Sequence, residues 1–311
     1  MLLIWTICFL ITCSIQLIYN WIYIYAGIKT IQHSKYTSYS ATSLENNEGI
    51  SIIICAHNEA YNLQNKLPLL LASLPTQLSI EVIVVNDCST DDSNHILHNL
   101  SKNYPILKAI ENKSKALPGK KAALDHGIKN AQYPMLLLTD ADCVPFSSNW
   151  VSQMYMASDD NNIVLGYGAY EKQANLLNRW IRWETQHTFI QYASYSYFQK
   201  AYMGVGRNLM YPKQYYLNAI QDSNFKELYT QVPSGDDDLL VQQMAIRNKT
   251  IAILQPLSHT VSDAPTNFKA YKAQKTRHIS TGKWYHKSIK YLLSTYAFSH
   301  GLFWLLVLLF I

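Results

Sequence analysis

The ten residues from Pro134 to Cys143 read PMLLLTDADC. An unbroken apolar run of this kind, with no polar alternation, is typical of a short strand buried on both faces of a sheet. Asp140 and Asp142 follow the run with one small residue between them. Alternate side chains of an extended backbone share a face, so both carboxylates can reach one hard cation such as Mg²⁺ or Mn²⁺. A solvated acidic turn is the competing interpretation.

Two more apolar runs lie upstream and alternate with helical segments. Residues 50–56 read ISIIICA and residues 80–87 read IEVIVVND, and both are β-branched without alternation. The sequence predicts a helix over 58–74, a weaker strand over 106–110 and a helix over 121–129. Strands and helices alternating at this spacing indicate an α/β domain with a mainly parallel sheet and right-handed crossovers.

Polar residues follow the ends of these predicted strands. Glu59 follows the first strand, Asp87 follows the second, and the two aspartates of the DAD segment follow the third. Ligands of parallel sheets bind at the carboxyl ends of the strands, so we expect these carboxylates to converge on one crevice. The turn after the second strand is expected to cap a helix through Ser89, Thr90 or Asp91.

Both ends of the chain are apolar. Residues 1–28 and 291–311 contain no Lys, Arg, Asp or Glu, and the first run exceeds the roughly 20 residues that cross a bilayer as a helix. A cleaved signal peptide and a buried core helix are the respective alternatives. The sequence ends inside the second run, as a truncated chain would. The predicted order is a transmembrane helix (1–28), a linker (29–48), a catalytic domain (49–268), a basic juxtamembrane segment (269–290) and a transmembrane segment (291–311).

The distribution of charge indicates how such a chain would lie in a membrane. Basic residues follow the first apolar run and precede the second, namely Lys29, Lys35, Lys269, Lys272, Lys275, Arg277, Lys283, Lys287 and Lys290. The positive-inside rule then places the domain between the runs in the cytosol, attached to the cytoplasmic membrane. The formal charge of +5 is modest and includes no basic tract, so nucleic acid is not an expected partner.

The five cysteines give no indication of a special site. They are odd in number and include no CxxC pair. Neither a disulfide framework nor a zinc site is therefore predicted, and a reducing compartment suits the domain.

Six segments, taken in order, resemble glycosyltransferase family 2, whose catalytic domain has the GT-A fold. They read SIIICAHNEAYNL, VIVVNDCSTDDS, PGKKAALDHGI, LLLTDADCVP, SGDDDLLVQQ and QKTRHISTGKW, and the resemblance covers about residues 48 to 290. It implies a membrane-bound inverting enzyme that moves a sugar from a UDP- or GDP-sugar to a hydroxyl of a glycan or a lipid-linked acceptor.

The resemblance also implies roles for individual residues. Glu59 and Asp87 correspond to contacts with the nucleotide base and ribose, and Lys120 to a basic residue near the donor. Asp140 and Asp142 correspond to the DxD motif that holds Mg²⁺ or Mn²⁺, with Asp142 favoured as the direct ligand and Asp140 also facing the donor.

The family's general base is an aspartate, and two alignments of the segment SGDDDL select different residues for it. Matching Leu239 to the leucine of the family pattern TEDxDL selects Asp236. Matching Gly235 to the glycine of the family pattern GED selects Asp237. We slightly favour Asp236, and both alternatives stay open at this point.

Downstream residues resemble the QxxRW signature that holds the diphosphate and the acceptor end. Gln274, Arg277 and Trp284 correspond to it, but His278 stands where the tryptophan usually follows the arginine. Attraction of the surrounding lysines to anionic lipid is the rival interpretation. The stretch 204–208, GVGRN, resembles a segment on the acceptor side, with a plain glycine turn as its alternative.

Between these motifs, residues 176–200 read LLNRWIRWETQHTFIQYASYSYFQK. This stretch fits an amphipathic helix at a membrane surface. It fits equally an ordinary domain helix whose Trp180 and Trp183 pack inward.

Two other classes of function are alternatives. A non-catalytic, membrane-anchored protein that binds nucleotide sugars is the alternative to an enzyme, and the acidic segment 236–238 speaks against it. A Rossmann oxidoreductase is disfavoured because no GxGxxG follows the first strand.

Overall fold

The computed structural model describes residues 2–36, 49–113, 117, 119–158 and 161–310. Its strands are β1 (Ile50–Ala56), β2 (Ile80–Asp87), β3 (Leu107–Asn112), β4 (Met135–Asp140), β5 (Val144–Pro145), β6 (Ile163–Leu165), β7 (Gly168–Tyr170), β8 (Leu209–Pro212), β9 (Thr250–Ala252) and β10 (Thr260–Ser262). Its α-helices are α1 (Leu2–Tyr36), α2 (Ala60–Asn65), α3 (Leu67–Ala72), α4 (Ser93–Asn103), α5 (Lys121–Asn130), α6 (Trp150–Ala157), α7 (Leu176–Tyr197), α8 (Lys213–Gln221), α9 (Ser223–Gln231), α10 (Asp238–Met244), α11 (Phe268–Ile279) and α12 (Lys287–Phe310).

A seven-stranded mixed sheet forms the centre of the domain. Its strand order is β3-β2-β1-β4-β8-β6-β9, and β3, β2, β1 and β4 run parallel. β8 is antiparallel to both neighbours, and β5, β10 and β7 form a second, smaller sheet. The predicted α/β class with a mainly parallel sheet is confirmed.

The strand order reverses between β1 and β4. The chain runs from β1 outward through β2 to β3 and then returns to β4 on the other side of β1. Cys55 of β1 pairs with Asp140 of β4 at the carboxyl ends of these strands. A reversal of this kind opens a crevice between the connecting loops, and ligands of such sheets bind in it.

The sheet is covered on both faces, which explains why its strands are continuously apolar. Ile52 and Ile54 pack on one face against α2, α3, α4 and α6, whereas Ile53 packs on the other against α5. Each such isoleucine is at most 1% exposed, and full burial of a side chain of this size contributes about 1.5–3 kcal/mol. Apolar residues in succession are therefore required wherever both faces are covered.

The segment predicted as one helix over 58–74 forms two short helices, α2 and α3. Pro68 lies in the first turn of α3, where a missing backbone N–H is tolerated but where the ring cannot continue the preceding helix. The chain therefore breaks at Lys66, whose side chain is turned toward the crevice.

The terminal helices α1 and α12 pack against each other. Gln16 Nε2 donates to Ser299 Oγ at 2.7 Å, and the rings of Phe9 and Phe303 stack at 5.7 Å. The stretches Leu3–Gln32 and Lys287–Leu309 are long and apolar enough to cross a membrane, and most of their surface faces outward. α1 continues into the first part of the predicted linker, and residues 37–48 of that linker lie outside the described residues.

The aromatic helix α7 presents its two tryptophans to the outside. Trp180 is 53% exposed and Trp183 is 51% exposed, so the alternative in which they pack inward is wrong. The opposite side of α7 is buried in the domain. Its last turn reaches α1, where the rings of Tyr197 and Tyr25 meet edge to face at 6.0 Å.

Candidate active site

The loops after β1 and β2 are joined by one aspartate that caps two helices. Asp91 Oδ1 accepts from the backbone N–H of Ser93 at the start of α4. Its Oδ2 accepts from the N–H of Ala60, the first residue of α2. Of the three residues predicted to cap α4, Asp91 does so. Ser89 and Thr90 have another role.

Ser89 and Thr90 bind the loop after β1 through Asn58. The N–H of Asn58 donates to Ser89 Oγ at 2.9 Å, and the N–H of Thr90 donates to Asn58 Oδ1 at 2.8 Å. Asn58 has a φ of 56°, a conformation that asparagine tolerates better than most residues. These contacts fix the backbone beside Glu59.

Glu59 and Asp87 lie at the ends of adjacent parallel strands, as predicted. Asp87 is 3% exposed, and its Oδ1 accepts from Asn112 Nδ2 at 2.8 Å. Glu59 is half-buried and accepts from Asn62. Burial raises the pKa of Glu59, and the negative charge of Asp142 raises it further. Glu59 and the DAD segment therefore share one electrostatic environment.

The pKa values of the two aspartates of the DAD segment are shifted in opposite directions. Asp140 is the last residue of β4, and its Oδ1 lies 3.0 Å from Lys120 Nζ. Burial works against ionisation of Asp140, but the Lys120 ammonium outweighs it and lowers the pKa. Burial and the charge of Asp140 raise the pKa of Asp142. Lys66 Nζ donates to the backbone carbonyl of Asp142 and so holds the turn in place.

This concentration of carboxylates suits a hard divalent cation. Besides burial, the negative charges of Asp142 and Asp140 raise the pKa of Glu59, and that of Asp140 raises the pKa of Asp142. A cation would relieve this repulsion between carboxylates. No group of three or more His, Cys, Asp or Glu side chains is arranged as a metal site among the described residues. The carboxylates fit Mg²⁺ or Mn²⁺, which are bound by one or two carboxylates together with substrate phosphates and water.

Lys120 connects the DAD segment with the acidic segment 236–238. Its Nζ lies 3.0 Å from Asp140 Oδ1 and 3.1 Å from Asp236 Oδ2. Burial would favour the neutral amine, but the two carboxylates raise the pKa of Lys120 well above its usual range. A Cβ on Gly206 would lie 2.9 Å from this ammonium, so glycine leaves room for it. Lys120 is therefore a fixed positive charge between two carboxylates.

The three successive aspartates of the acidic segment point to different places. Asp236 faces Lys120 and the crevice. Asp237 accepts from the N–H of Gly206 at 3.0 Å and from the N–H of Asp238 at 2.8 Å, which caps α10. Gly235 precedes them with a φ of +81°, and a Cβ there would lie 2.8 Å from Leu239. A glycine is therefore required at this turn.

Asp238 holds the turn that follows α11. Its Oδ2 accepts from the hydroxyls of Tyr285 at 2.6 Å and Thr281 at 3.1 Å. Burial and the neighbouring Asp237 raise the pKa of Asp238 well above its usual range. Ser234 and Ser280 form a second contact at 2.9 Å between the same two segments. The acidic segment and residues 280–285 are thereby joined.

A cavity that is open to solvent lies next to the crevice, between α7 and α11. Its lining includes Tyr167, Tyr170, Thr185, Arg207, Gln274 and His278. Gln274 Nε2 donates to Tyr170 OH at 3.1 Å, and Arg207 stacks over the Tyr170 ring at 4.3 Å. Partial burial and the charges of Lys275 and Arg277 lower the pKa of His278.

The structure brings most of the predicted site residues together. The positive charge of Arg277 acts to lower the pKa of Asp140, and Gln274 lines the adjacent cavity. By contrast, Trp284 is 40% exposed at the end of the turn after α11. Arg207 was missed, although it lies half-buried beside the site and its positive charge acts to lower the pKa of both DAD aspartates. An arginine inside the glycine-rich stretch 204–208 was the available signal.

A crossover at the switch point of a parallel sheet, lined by a DxD turn and a lysine, defines a nucleotide-sugar-binding fold of the GT-A class. The family model described as Glycosyl transferase family 2 matches residues 51–217, which is more than half of the chain. The chain therefore belongs to glycosyl transferase family 2, as the resemblance of its motifs predicted.

Curated relatives match a shorter stretch. Poly-beta-1,6-N-acetyl-D-glucosamine synthase of Staphylococcus epidermidis is 34% identical over 98 residues, which is 31% of this chain and 22% of that protein. The probable glycosyltransferase YdaM of Bacillus subtilis is 31% identical over 97 residues, 31% of this chain and 23% of that one. The match thus spans about a fifth of the length of these relatives.

Solved structures share the fold over most of the chain. The mannosyltransferase PcManGT from Pyrobaculum calidifontis, in complex with GDP-Man and Mn2+, has a TM-score of 0.58 at 18% identity, covering 92% of this chain and 81% of that one. TarS 1-349 of S. aureus in complex with UDP-GlcNAc has a TM-score of 0.51 at 15% identity, covering 81% and 72%. At this identity the likeness concerns the fold.

Proposed function

We propose that the chain is a metal-assisted, inverting glycosyltransferase that moves a sugar from a UDP- or GDP-sugar to a hydroxyl of a glycan or a lipid-linked acceptor. The observation that carries this proposal is the position of Lys120, which lies within 3.1 Å of both Asp140 and Asp236. A carboxylate for the metal and a carboxylate for the acceptor proton thus flank one crevice.

The donor would lie along the loops after β1, β2 and β4. Glu59 and Asp87 would bind the base and ribose, and Lys120 the diphosphate. The fold neighbours in complex with GDP-Man and UDP-GlcNAc support a nucleotide-sugar donor. The relatives named for poly-N-acetylglucosamine synthesis support a glycan acceptor.

Asp142 and Asp140 would hold the divalent cation. When bound, Mg²⁺ or Mn²⁺ supplies a Lewis acid that neutralises the charge developing on the departing diphosphate. Lys120 and Arg207 would add fixed positive charge at the same end of the crevice. A neighbour in complex with Mn2+ supports this assignment.

Asp236 is the better candidate for the general base. In the proposed step its carboxylate takes the proton of the acceptor hydroxyl while that oxygen forms a bond to the anomeric carbon. The bond from that carbon to the diphosphate breaks on the opposite face, which inverts the configuration. Asp237 is held by two backbone N–H groups, and Asp238 by two buried hydroxyls. Asp236 is the one of the three that remains turned to the crevice.

The cavity between α7 and α11 would receive the acceptor. It opens beside Arg207, and its tyrosine rings and hydroxyls suit a sugar, which offers both apolar faces and hydroxyl groups. Gln274 and His278 line it, and Arg277 would bind phosphate on the donor side.

The same arrangement would place the site beside a membrane. α1 and α12 would span the cytoplasmic membrane with the catalytic domain in the cytosol, since basic residues adjoin both helices on the domain side. α7 contacts α1, and its exposed Trp180 and Trp183 would then lie at the interface, where tryptophan is favoured.

Release of nucleoside diphosphate from a panel of nucleotide sugars tests the proposal. The full-length protein in detergent should release it only with Mg²⁺ or Mn²⁺, and Asp142→Ala should abolish the release. Asp92→Ala is a matched control, because Asp92 is exposed and its side chain makes no capping bond. A protein that binds donors without turning over any of them would be the non-catalytic binding protein instead.

A further inference from the structure

A second lysine, Lys121, is fully buried beside Lys120. Its Nζ donates to the backbone carbonyls of Tyr229 and Val232, each at 2.7 Å, and it lies 4.1 Å from the centre of the Tyr229 ring. Burying an ammonium costs several kcal/mol unless hydrogen bonds compensate for lost water. None of the proposed donor, metal or acceptor contacts uses this residue.

The two carbonyls lie at the end of α9, directly before the acidic segment. Carbonyls in the last turn of a helix lack partners within the helix, and the helix dipole makes this end attractive to a cation. Val232 precedes Asp236 by four positions. Lys121 therefore fixes the chain at the point where the segment carrying Asp236 begins.

Neighbouring residues join the same two segments. Gly119 has a φ of +65°, and a Cβ there would lie 2.5 Å from the carbonyl oxygen of Pro233, so the two backbones are in close contact. Lys120 reaches the Asp236 carboxylate, and the Tyr229 hydroxyl makes a long contact of 3.5 Å to the Asp236 carbonyl. Residues 119–121 thus hold the chain before and at Asp236.

We propose that Lys121 is a positioning residue for Asp236, which holds the acidic segment at the distance that proton removal from the acceptor requires. The proposal rests on the proposed function of Asp236 as the base. Lys121 does not touch the substrates. It acts through the end of α9, and its loss would displace the base while leaving the donor loops intact.

The charge of Lys121 suits this role. Burial lowers its pKa to about 8, while Asp236 and Asp237 act in the opposite direction. The ammonium therefore remains mostly protonated at neutral pH, where it donates to both carbonyls.

The test compares Lys121→Met with Lys213→Met in the full-length protein. Lys213 Nζ donates to the carbonyl of Ala131 at 2.9 Å, which is the same kind of contact at the end of α5, away from the acidic segment. We expect Lys121→Met to lower kcat about 10²-fold, the order of loss that follows a misplacement of about 1 Å. The KM for the donor and the metal requirement should stay unchanged, and Lys213→Met should keep kcat.

A double variant separates positioning from general damage. Added to Asp236→Asn, Lys121→Met should cause little further loss of kcat, because residues that act as a unit are not additive. Multiplicative losses, or an unchanged kcat in Lys121→Met, would overturn the proposal. Full activity of Asp236→Asn would instead overturn the assignment of the base.

A second variant covers the case in which Lys121→Met does not bind donor. Lys121→Gln keeps one carbonyl contact and should bind donor with a lowered kcat. An unchanged kcat in Lys121→Gln would also overturn the proposal for Lys121.

Discussion

The proposed donor side and the proposed acceptor side of the crevice are built in different ways. On the donor side, Glu59, Asp87 and Asp140 follow adjacent parallel strands, and the register of β1, β2 and β4 places them together. On the acceptor side, Asp236 lies on a turn between two short helices. This turn is held by half-buried Lys120, by buried Lys121 and by hydroxyls from distant segments. Sheet geometry sets the positions of the donor-side carboxylates, and contacts between distant segments set the position of Asp236.

This difference predicts where substitutions act. Changes on the donor side should affect donor and metal binding together, since the same loops carry both. Changes around the acidic segment should affect transfer to the acceptor and leave donor binding unchanged.

The largest effect is expected at the base itself. Asp236→Asn should lower the rate of transfer by about 10²- to 10⁴-fold, the usual contribution of general-base assistance. Donor affinity, measured by titration with nucleotide sugar, should stay close to that of the unchanged protein. Asp92→Asn is the matched control, because Asp92 is exposed, and it should keep full activity. Loss of donor binding together with transfer would show that the two sides are not separate.

Removal of the Tyr285 hydroxyl should destabilise the junction between the acidic segment and residues 280–285. Tyr285→Phe leaves the buried carboxyl of Asp238 without its 2.6 Å partner, which costs about 1–3 kcal/mol of unfolding free energy. Denaturant unfolding in detergent measures the loss. Tyr61→Phe is the control, because Tyr61 is 73% exposed. Equal stability of the two variants would contradict the role given to this contact.

The stability of the same junction should depend on pH through Asp238. Its pKa is raised in the folded chain, so the folded state holds its proton more tightly than the unfolded state. Its contribution to stability is therefore present below the unfolded pKa of about 4 and is lost as the pH rises toward the folded pKa.

Asp238→Asn removes this titration and keeps an acceptor for Tyr285. The difference in unfolding free energy between Asp238→Asn and the unchanged protein should move in favour of the variant as the pH rises above about 4. Thermal or denaturant unfolding across that range measures it. A difference independent of pH would refute the assignment.

The smallest effect is expected on the donor side, at the shared cap. Asp91→Ala removes a hydrogen-bond acceptor from the starts of both α2 and α4, and loss of a cap costs about 1 kcal/mol. Donor affinity should fall with it, because the loop that carries Glu59 is loosened. Asp92→Ala is the matched control, since the Asp92 side chain makes no capping bond. Equal losses from the two substitutions would speak against the cap.

The donor side could be predicted from the sequence because its signals are local. Runs such as IEVIVVND indicate buried parallel strands. In a parallel sheet the residues that follow such strands lie together at one edge of the sheet. The break between α2 and α3 was missed, although Pro68 marks it. The resemblance to family 2 supplied the roles that periodicity alone could not.

The acceptor side could not be predicted to the same depth. Which of Asp236 and Asp237 faces the crevice depends on the turn at Gly235 and on the backbone N–H of Gly206, which is distant in the sequence. Likewise, nothing local distinguishes Lys120, which binds two carboxylates, from Lys121, which binds two carbonyls. Contacts between distant segments decide both cases.

The most direct test of the central claim is mass spectrometry of reaction products. Membranes that contain the full-length protein are incubated with Mn²⁺ and a panel of UDP- and GDP-sugars, and the products are analysed. The account predicts that at least one donor yields a glycosylated product and free nucleoside diphosphate. It also predicts that Asp236→Asn binds that donor without forming the product. Product formation by Asp236→Asn at the unchanged rate, or no product with any donor, would contradict it.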